Sequence, residues 1–180
     1  MQISSVESEY PHTLSYTIFN TPLGKTGVAV TPAGICRIVL SISRESEFVQ
    51  ILKTLHPSPK NLPNQLVKIE KEFQLYFKNK LKVFSFKPDL RWGTKFQQRV
   101  WDKLASIPFG ETRSYQWLAK AIGQPNTIRA VGNANGKNPI PVIIPCHRVI
   151  RKNGALGGFT GGTHLKKYLL ELENKTHASL

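Results

Sequence analysis

The sequence predicts an α/β (α+β) fold in two parts. Residues 1–89 form a small N-terminal β-meander with helices, and residues 90–180 a mostly helical C-terminal domain with a helix-turn-helix. Three observations carry this. Short runs rich in β-branched and aromatic residues alternate with turn signals over residues 15–40. Apolar residues recur every three or four positions through most of the rest. Pro88-Asp89 divides two halves of different charge: 1–89 hold 11 basic and 7 acidic residues, 90–180 hold 14 and 4, for a total of +14 over 180 residues.

Residues 1–13 are polar and read as a lead. Ser15–Phe19, Gly27–Val30 and Ile35–Leu40 are the strands, with Asn20–Gly24 and Thr31–Gly34 as turns. Glu45–Leu55 places Phe48, Leu52 and Leu55 at helical spacing, and Asn64–Lys78 does the same with Leu66, Ile69, Phe73 and Phe77. Pro57, Pro59 and Pro63 keep the two helices apart. Val83-Phe84-Ser85-Phe86 alternates and is expected to rejoin the sheet. His12 and His56 stand alone and have surface or packing roles by default.

In the second half, Thr94 and Gln97 have capping-box spacing and open a helix that aligns Phe96, Val100, Trp101 and Leu104. Ser114 caps a short helix through Ala121 with Trp117, Leu118 and Ile122 inward. Gly123 stops it and Pro125 opens the next, Asn126–Asn133. Two short helices joined by a glycine-containing turn form a helix-turn-helix pattern. The second carries Arg129 among Ala130, Gly132 and Ala134, small residues that permit close backbone approach or tight core packing. His164–Glu173 is the last helix, with Leu165, Tyr168, Leu169 and Leu172 inward, and a frayed tail follows Asn174.

Between them runs Ile140–Gly158. Pro139, Pro141 and Pro145 predict an extended chain, and Val142-Ile143-Ile144 a buried one. Cys146 follows directly, with His147, Arg148, Arg151 and Lys152 close in sequence to lower its pKa. A free cysteine after an apolar run is also a common packing residue. In an extended chain His147 points away from the Cys146 sulfur, so proton transfer between them needs a water or a bend. Gly154, Gly157, Gly158, Gly161 and Gly162 make the following segment a loop suited to close contact with a ligand.

The composition narrows the function classes. No apolar run approaches the ~18 residues that span a bilayer, and the N-terminus lacks a secretory pattern. Two distant cysteines, Cys36 and Cys146, point to a reducing compartment rather than a disulfide framework. The basic C-terminal half points to a polyanion, without separating DNA from RNA or acidic lipid.

The chain resembles the O6-alkylguanine-DNA alkyltransferases in Pro145-Cys146-His147-Arg148-Val149 and in Asn138-Pro139. Gly93–Trp101, Ile107–Thr112, Ser114-Tyr115 and Arg129-Ala130-Val131-Gly132 resemble that family too, in its order, so the likeness spans about residues 90–173. It implies a ribonuclease H-like N-terminal domain and a single-turnover reaction: a thiolate takes the alkyl group from guanine O6, and also from O4-alkylthymine, after the nucleotide is flipped from duplex DNA. By the same likeness Cys146 is the nucleophile, His147 its base through a water, and Glu173 the orienting carboxylate. Tyr115 donates to the leaving guanine and Asn138 braces the turn. Arg129 is a finger filling the stack, with Ala130 and Gly132 facing the minor groove. Thr94, Gln116, Arg148 and Arg151 are further DNA contacts, with Lys137 and Lys152 as candidate phosphate ligands. Tyr115, Val149, Gly157, Phe159 and Thr160 wall the base pocket, with Thr160 donating to O6.

Phe159 stands where some members have tyrosine, removing a hydroxyl, and Thr160 where others have serine, adding a methyl that narrows the pocket. Cys36 has no partners at ligand spacing, so no metal and no cofactor is expected. The expected partner is double-stranded DNA bearing O6-alkylguanine, met by a monomer with no membrane association. The expected place is the cytoplasm in a bacterium or the nucleus in a eukaryote. The alternatives are a lesion-binding module without chemistry, against which Cys146 speaks, and a cysteine hydrolase using Cys146 and His147.

Overall fold

The computed structural model describes residues 13–174; the expected lead, His12 and the tail after Asn174 lie outside the described residues. The meander forms as three antiparallel strands, β1 (Ser15–Thr21), β2 (Gly24–Thr31) and β3 (Gly34–Val39). After α1 (Glu45–Lys53), the two-residue β4 (Lys60–Asn61) returns parallel to β1, giving the order β3-β2-β1-β4. Both faces of the sheet are covered. Tyr16, Ala29 and Cys36 face Phe48 and Leu52 of α1, while Phe19, Val28, Ile35 and Ile38 join the main core. Gly27 is required by this packing: a Cβ there would lie 2.6 Å from the Phe48 ring.

A 3-10 turn at Pro63–Gln65 leads into α2 (Val67–Phe77), whose Ile69, Phe73 and Tyr76 are buried. Residues 83–86 do not rejoin the sheet. Ser85 instead donates from its backbone and hydroxyl to Glu72, and the Phe84 ring packs on Phe73 and Tyr76 at 5.1 and 5.4 Å. Burying an aromatic ring outweighs an alternating pattern too short to hold a strand. Residues 87–89 run beside β3, through Ile35 N–H to the Lys87 carbonyl and Asp89 N–H to the Ile35 carbonyl. Thr31 Oγ1 donates to Asp89 at 2.6 Å. The Pro88-Asp89 junction is therefore stitched to the sheet.

The helical half contains α3 (Lys95–Ala105), β5 (Arg113–Ser114), α4 (Tyr115–Ala121), α5 (Ile128–Gly136), β6 (Val149–Ile150) and α6 (Thr163–Asn174). Thr94 and Gln97 form both halves of the capping box on α3, and Ser114 caps α4. Gly123 takes the left-handed conformation at φ +75 after α4. The next helix begins two residues later than expected and continues to Gly136. Trp101 Nε1 donates to the Ala134 carbonyl at 2.8 Å and locks α3 onto α5. Tyr168 is 37% exposed rather than inward.

The segment before Cys146 is buried but not extended. Val142 turns through φ +76, Ile144 N–H reaches back to the Ile140 carbonyl, and Cys146–Arg148 form a 3-10 turn. Proline constrains only itself and its neighbour, which leaves room for these turns. Ile38 N–H bonds the Pro139 carbonyl, tying the sheet to this segment, and one continuous core joins the two halves.

Candidate active site

The proline-rich turn delivers Cys146 to the interior, where it is 4% exposed. Asn138 holds that turn from inside: Nδ2 donates to the Ile144 carbonyl at 2.7 Å, and Oδ1 accepts from Ile140 N–H at 3.0 Å. Burial pushes the Cys146 thiol up to about 11, against smaller opposing effects from Asn138 and the Lys166 ammonium. The expectation that neighbouring cations lower it is therefore corrected. Arg151 and Lys152 are exposed, and Arg148 serves another group.

That group is Glu173, at the end of α6 and 1% exposed. His147 Nε2 lies 2.8 Å from its Oε1. Arg148 donates from Nε to Oε2 at 2.8 Å and from Nη2 to Oε1 at 2.9 Å. Tyr76 of α2 donates to Oε1 at 2.6 Å, and Gly110 N–H to Oε2 at 3.2 Å. These donors hold the carboxyl far below the usual carboxylate range despite its burial. An ionised Glu173 takes the Nε2 proton of His147 as a hydrogen bond, so the lone pair is at Nδ1, which has no partner among the described residues. Burial pushes His147 down, with Glu173 pulling the other way. The turn thus carries a neutral imidazole adjoining a protonated thiol.

Arg148 is a correction to the expected DNA contacts. It is 6% exposed, and its Nη1 donates to the Ile107 carbonyl at 2.6 Å, so it is committed to the interior and cannot meet a phosphate. An ionised glutamate in this core requires a cation, and Arg148 is the one within reach.

A cavity of about 530 Å³ is lined by Tyr115 and by Arg129, Gly132 and Asn135 of α5 on one side, and by Arg151, Gly157, Phe159 and Thr160 of the loop on the other; Cys146 is not part of its lining. Asn135 links it to the backbone of the turn, because its Nδ2 donates to the Cys146 carbonyl at 3.4 Å. Gly157 is needed on both counts: its φ is +70, and a Cβ would lie 2.9 Å from the Tyr115 hydroxyl. Thr160 lines the cavity, but its hydroxyl donates to the Gly136 carbonyl at 2.9 Å, correcting the expectation that it is aimed at a ligand. Val149 is buried in the core and does not line the cavity. Ala130 is exposed on α5, Gln116 is half-buried on α4, and Thr94 is occupied in its cap.

Residues missed from sequence are Tyr76, Asn135 and Lys166. Tyr76 carries no signal in the sequence beyond its place in a helix with Phe73 and Phe77. Lys166 is 0% exposed, and its Nζ donates to the carbonyls of Val149 and Leu156 and lies 5.8 Å from the Tyr115 ring centre. Burial pushes it down to about 8. A lysine between the inward Leu165 and Leu169 was the available signal. Among the described residues, no group of three or more His, Cys, Asp or Glu is placed to hold a metal, and no helix is long and apolar enough to cross a membrane.

Residues 95–175 match the family model "6-O-methylguanine DNA methyltransferase, DNA binding domain". The constitutive methylated-DNA–protein-cysteine methyltransferase of Bacillus subtilis is 42% identical over 160 residues, covering 88% of this chain and 94% of that one. A protein of the same name from Mycobacterium bovis is 55% identical over 102 residues, 57% of this chain and 61% of its own length. The crystal structure of Mycobacterium tuberculosis OGT in complex with DNA superposes with a TM-score of 0.78 at 38% identity, covering 89% of this chain and 93% of that one.

Proposed function

Because the chain belongs to the methylated-DNA–protein-cysteine methyltransferases, we propose that it repairs O6-alkylguanine in duplex DNA by moving the alkyl group irreversibly onto Cys146, with O4-alkylthymine as a second substrate. The observation that carries this reading is the buried Glu173–His147 pair, which leaves the Nδ1 lone pair of the residue next to Cys146 without a partner among the described residues. His147 takes the thiol proton through a bridging water, which offsets the high thiol pKa when substrate is bound. The thiolate attacks the alkyl carbon, the carbon–O6 bond breaks, and its electron pair stays on the guanine. Tyr115 protonates the purine ring and is reprotonated from the imidazolium side, so the thiol proton ends on the base. The thioether is not turned over, and each molecule acts once.

The base must leave the helix to reach this turn. Residues 90–180 act as the DNA-binding, reacting domain and 1–89 as its support, which reaches the site through Tyr76. The α4–turn–α5 pair serves as a helix-turn-helix, with Ala130 and Gly132 allowing α5 to approach the minor groove. Arg129, exposed at the cavity rim, fills the vacated stack. Thr94, Gln116 and Arg151 contact the strand. Tyr115, Gly157 and Phe159 enclose the base.

Duplex DNA carrying radiolabelled O6-methylguanine should leave about one label per protein molecule, mapped to the Cys146 peptide. Label that stays on the DNA would overturn the assignment. Arg129→Ala should slow duplex repair by about 10–100-fold, the size of an uncompensated unstacking, and leave reaction with free benzylguanine unchanged; equal losses on both substrates would remove the finger role. Tyr115→Phe should slow transfer by about 10²-fold with an unchanged melting curve, and an unaltered single-turnover rate would remove Tyr115 as the proton donor.

A further inference from the structure

A second cavity, of about 300 Å³, opens at the seam between the sheet and the helical half. Its walls include Cys36 and Arg37 of β3, Asp89, Trp92, Trp101 of α3, and Lys137 at the end of α5. Arg37 is mostly buried, yet it has no hydrogen-bond or ion-pair partner among the described residues, and its Nε is cut off from solvent. The guanidinium is thus partly desolvated with no counter-charge beside it, and an anion at its open end would relieve this. The lining offers none. Asp89, its sole carboxylate, already accepts from Thr31 and pairs with Arg91 at 2.9 Å. Burial pushes the Cys36 thiol up to about 12, so it adds no negative charge. Lys137 adds a second cation that has no carboxylate partner among the described residues. The half-buried Trp92 offers an aromatic wall beside these charges.

We propose that this cavity binds the phosphate of a nucleotide, with Arg37 and Lys137 as its ligands and Trp92 as the wall against the base. The volume is at the small end for organic ligands, which suits a single nucleotide unit and no more. The guanidinium fork matches phosphate oxygens, and the lysine acts as a point charge. The phosphate has two available sources. Arg37 and Lys137 also line a groove with Gly136 and Thr160, and these two line the 530 Å³ cavity beside Tyr115 and α5. The nucleotide is therefore either free or a unit of a DNA strand whose lesion occupies the candidate active site. The inference does not need the alkyl-transfer reading, because it stands on Arg37 alone.

Titration of the full chain with inorganic phosphate and with thymidine monophosphate tests it by calorimetry and melting temperature. Both ligands should bind saturably and raise the melting temperature. Arg37→Met should weaken both by at least about tenfold, the loss of a charge-assisted contact. Lys137→Gln, at an exposed position that tolerates change, should weaken binding without altering the ligand-free melt, and it serves if Arg37→Met fails to fold. Displacement of thymidine monophosphate by undamaged oligonucleotide assigns the strand as source, and persistence of binding assigns the free nucleotide. Absence of saturable binding by the wild type, or full affinity in the variants, overturns the site.

Discussion

Cys146→Ser should accept no alkyl group, with single-turnover transfer reduced by at least about 10⁴-fold, as when the nucleophile is removed from a hydrolytic triad. Serine is close to cysteine in shape, so the buried turn should survive, with Asn138 still bonding Ile140 and Ile144. A serine hydroxyl is a poorer leaving site for its proton than a thiol, and His147 is pushed down by burial, so the pair cannot produce an alkoxide. Binding of duplex containing O6-methylguanine should persist within a few-fold. The two measurements together separate alkyl transfer from lesion sensing. A wild type that binds the lesion as the variant does, with neither acquiring mass, would support the sensing alternative. Many turnovers on an ester would support the hydrolase.

Glu173→Gln should have the second-largest effect, on stability and on rate together. Removing one partner from a buried ion pair leaves Arg148 uncompensated in the core, at a cost of about 3–5 kcal/mol. For a chain of this length that is about 6–20 °C in melting temperature. Below that temperature the variant should transfer alkyl groups about 10²–10⁴-fold more slowly, because His147 loses the negative charge that stabilises its imidazolium as the thiol proton is taken. Wild-type rates from a well-folded variant would remove Glu173 from the proton path.

The pH dependence of folding follows from the same group. His147 is depressed by burial, so below about 6.5 the unfolded chain binds a proton that the folded chain refuses, and stability declines with acidification. Glu173 is depressed by its donors, so its contribution is fully present above about 4.5 and is lost as the pH falls further. Melting temperature measured from pH 7 downward should fall in both windows. Glu173→Gln should flatten the lower one, and an identical slope in the variant would contradict the ion-pair account.

Much of this could be read from residue order alone, because the relevant forces act between near neighbours. The three strands, the Thr94–Gln97 box, the Ser114 cap and the Gly123 stop depend on turn chemistry and on side chains reaching backbone within four residues. Asn138 at this turn came from the family resemblance, while the prolines alone predicted an extended chain. Burial of Val142 and Ile144 followed from their apolarity, whatever shape the backbone took, while Ile143 between them is only partly buried.

The tertiary structure decided everything that depends on which distant groups meet. Arg148 looked like a surface cation until Glu173, 25 residues away, took it inside. Tyr76 drew no functional reading, and its hydroxyl reaches the same carboxylate across 97 residues. The charge state of Cys146 depended on the contest between desolvation and nearby cations, and burial won because Arg148 turned toward the glutamate while Arg151 and Lys152 remained exposed in solvent. Local sequence determines backbone propensity and apolar pattern; a pKa or a buried ion pair is set by the whole environment of an atom, and that environment exists only after the chain has folded.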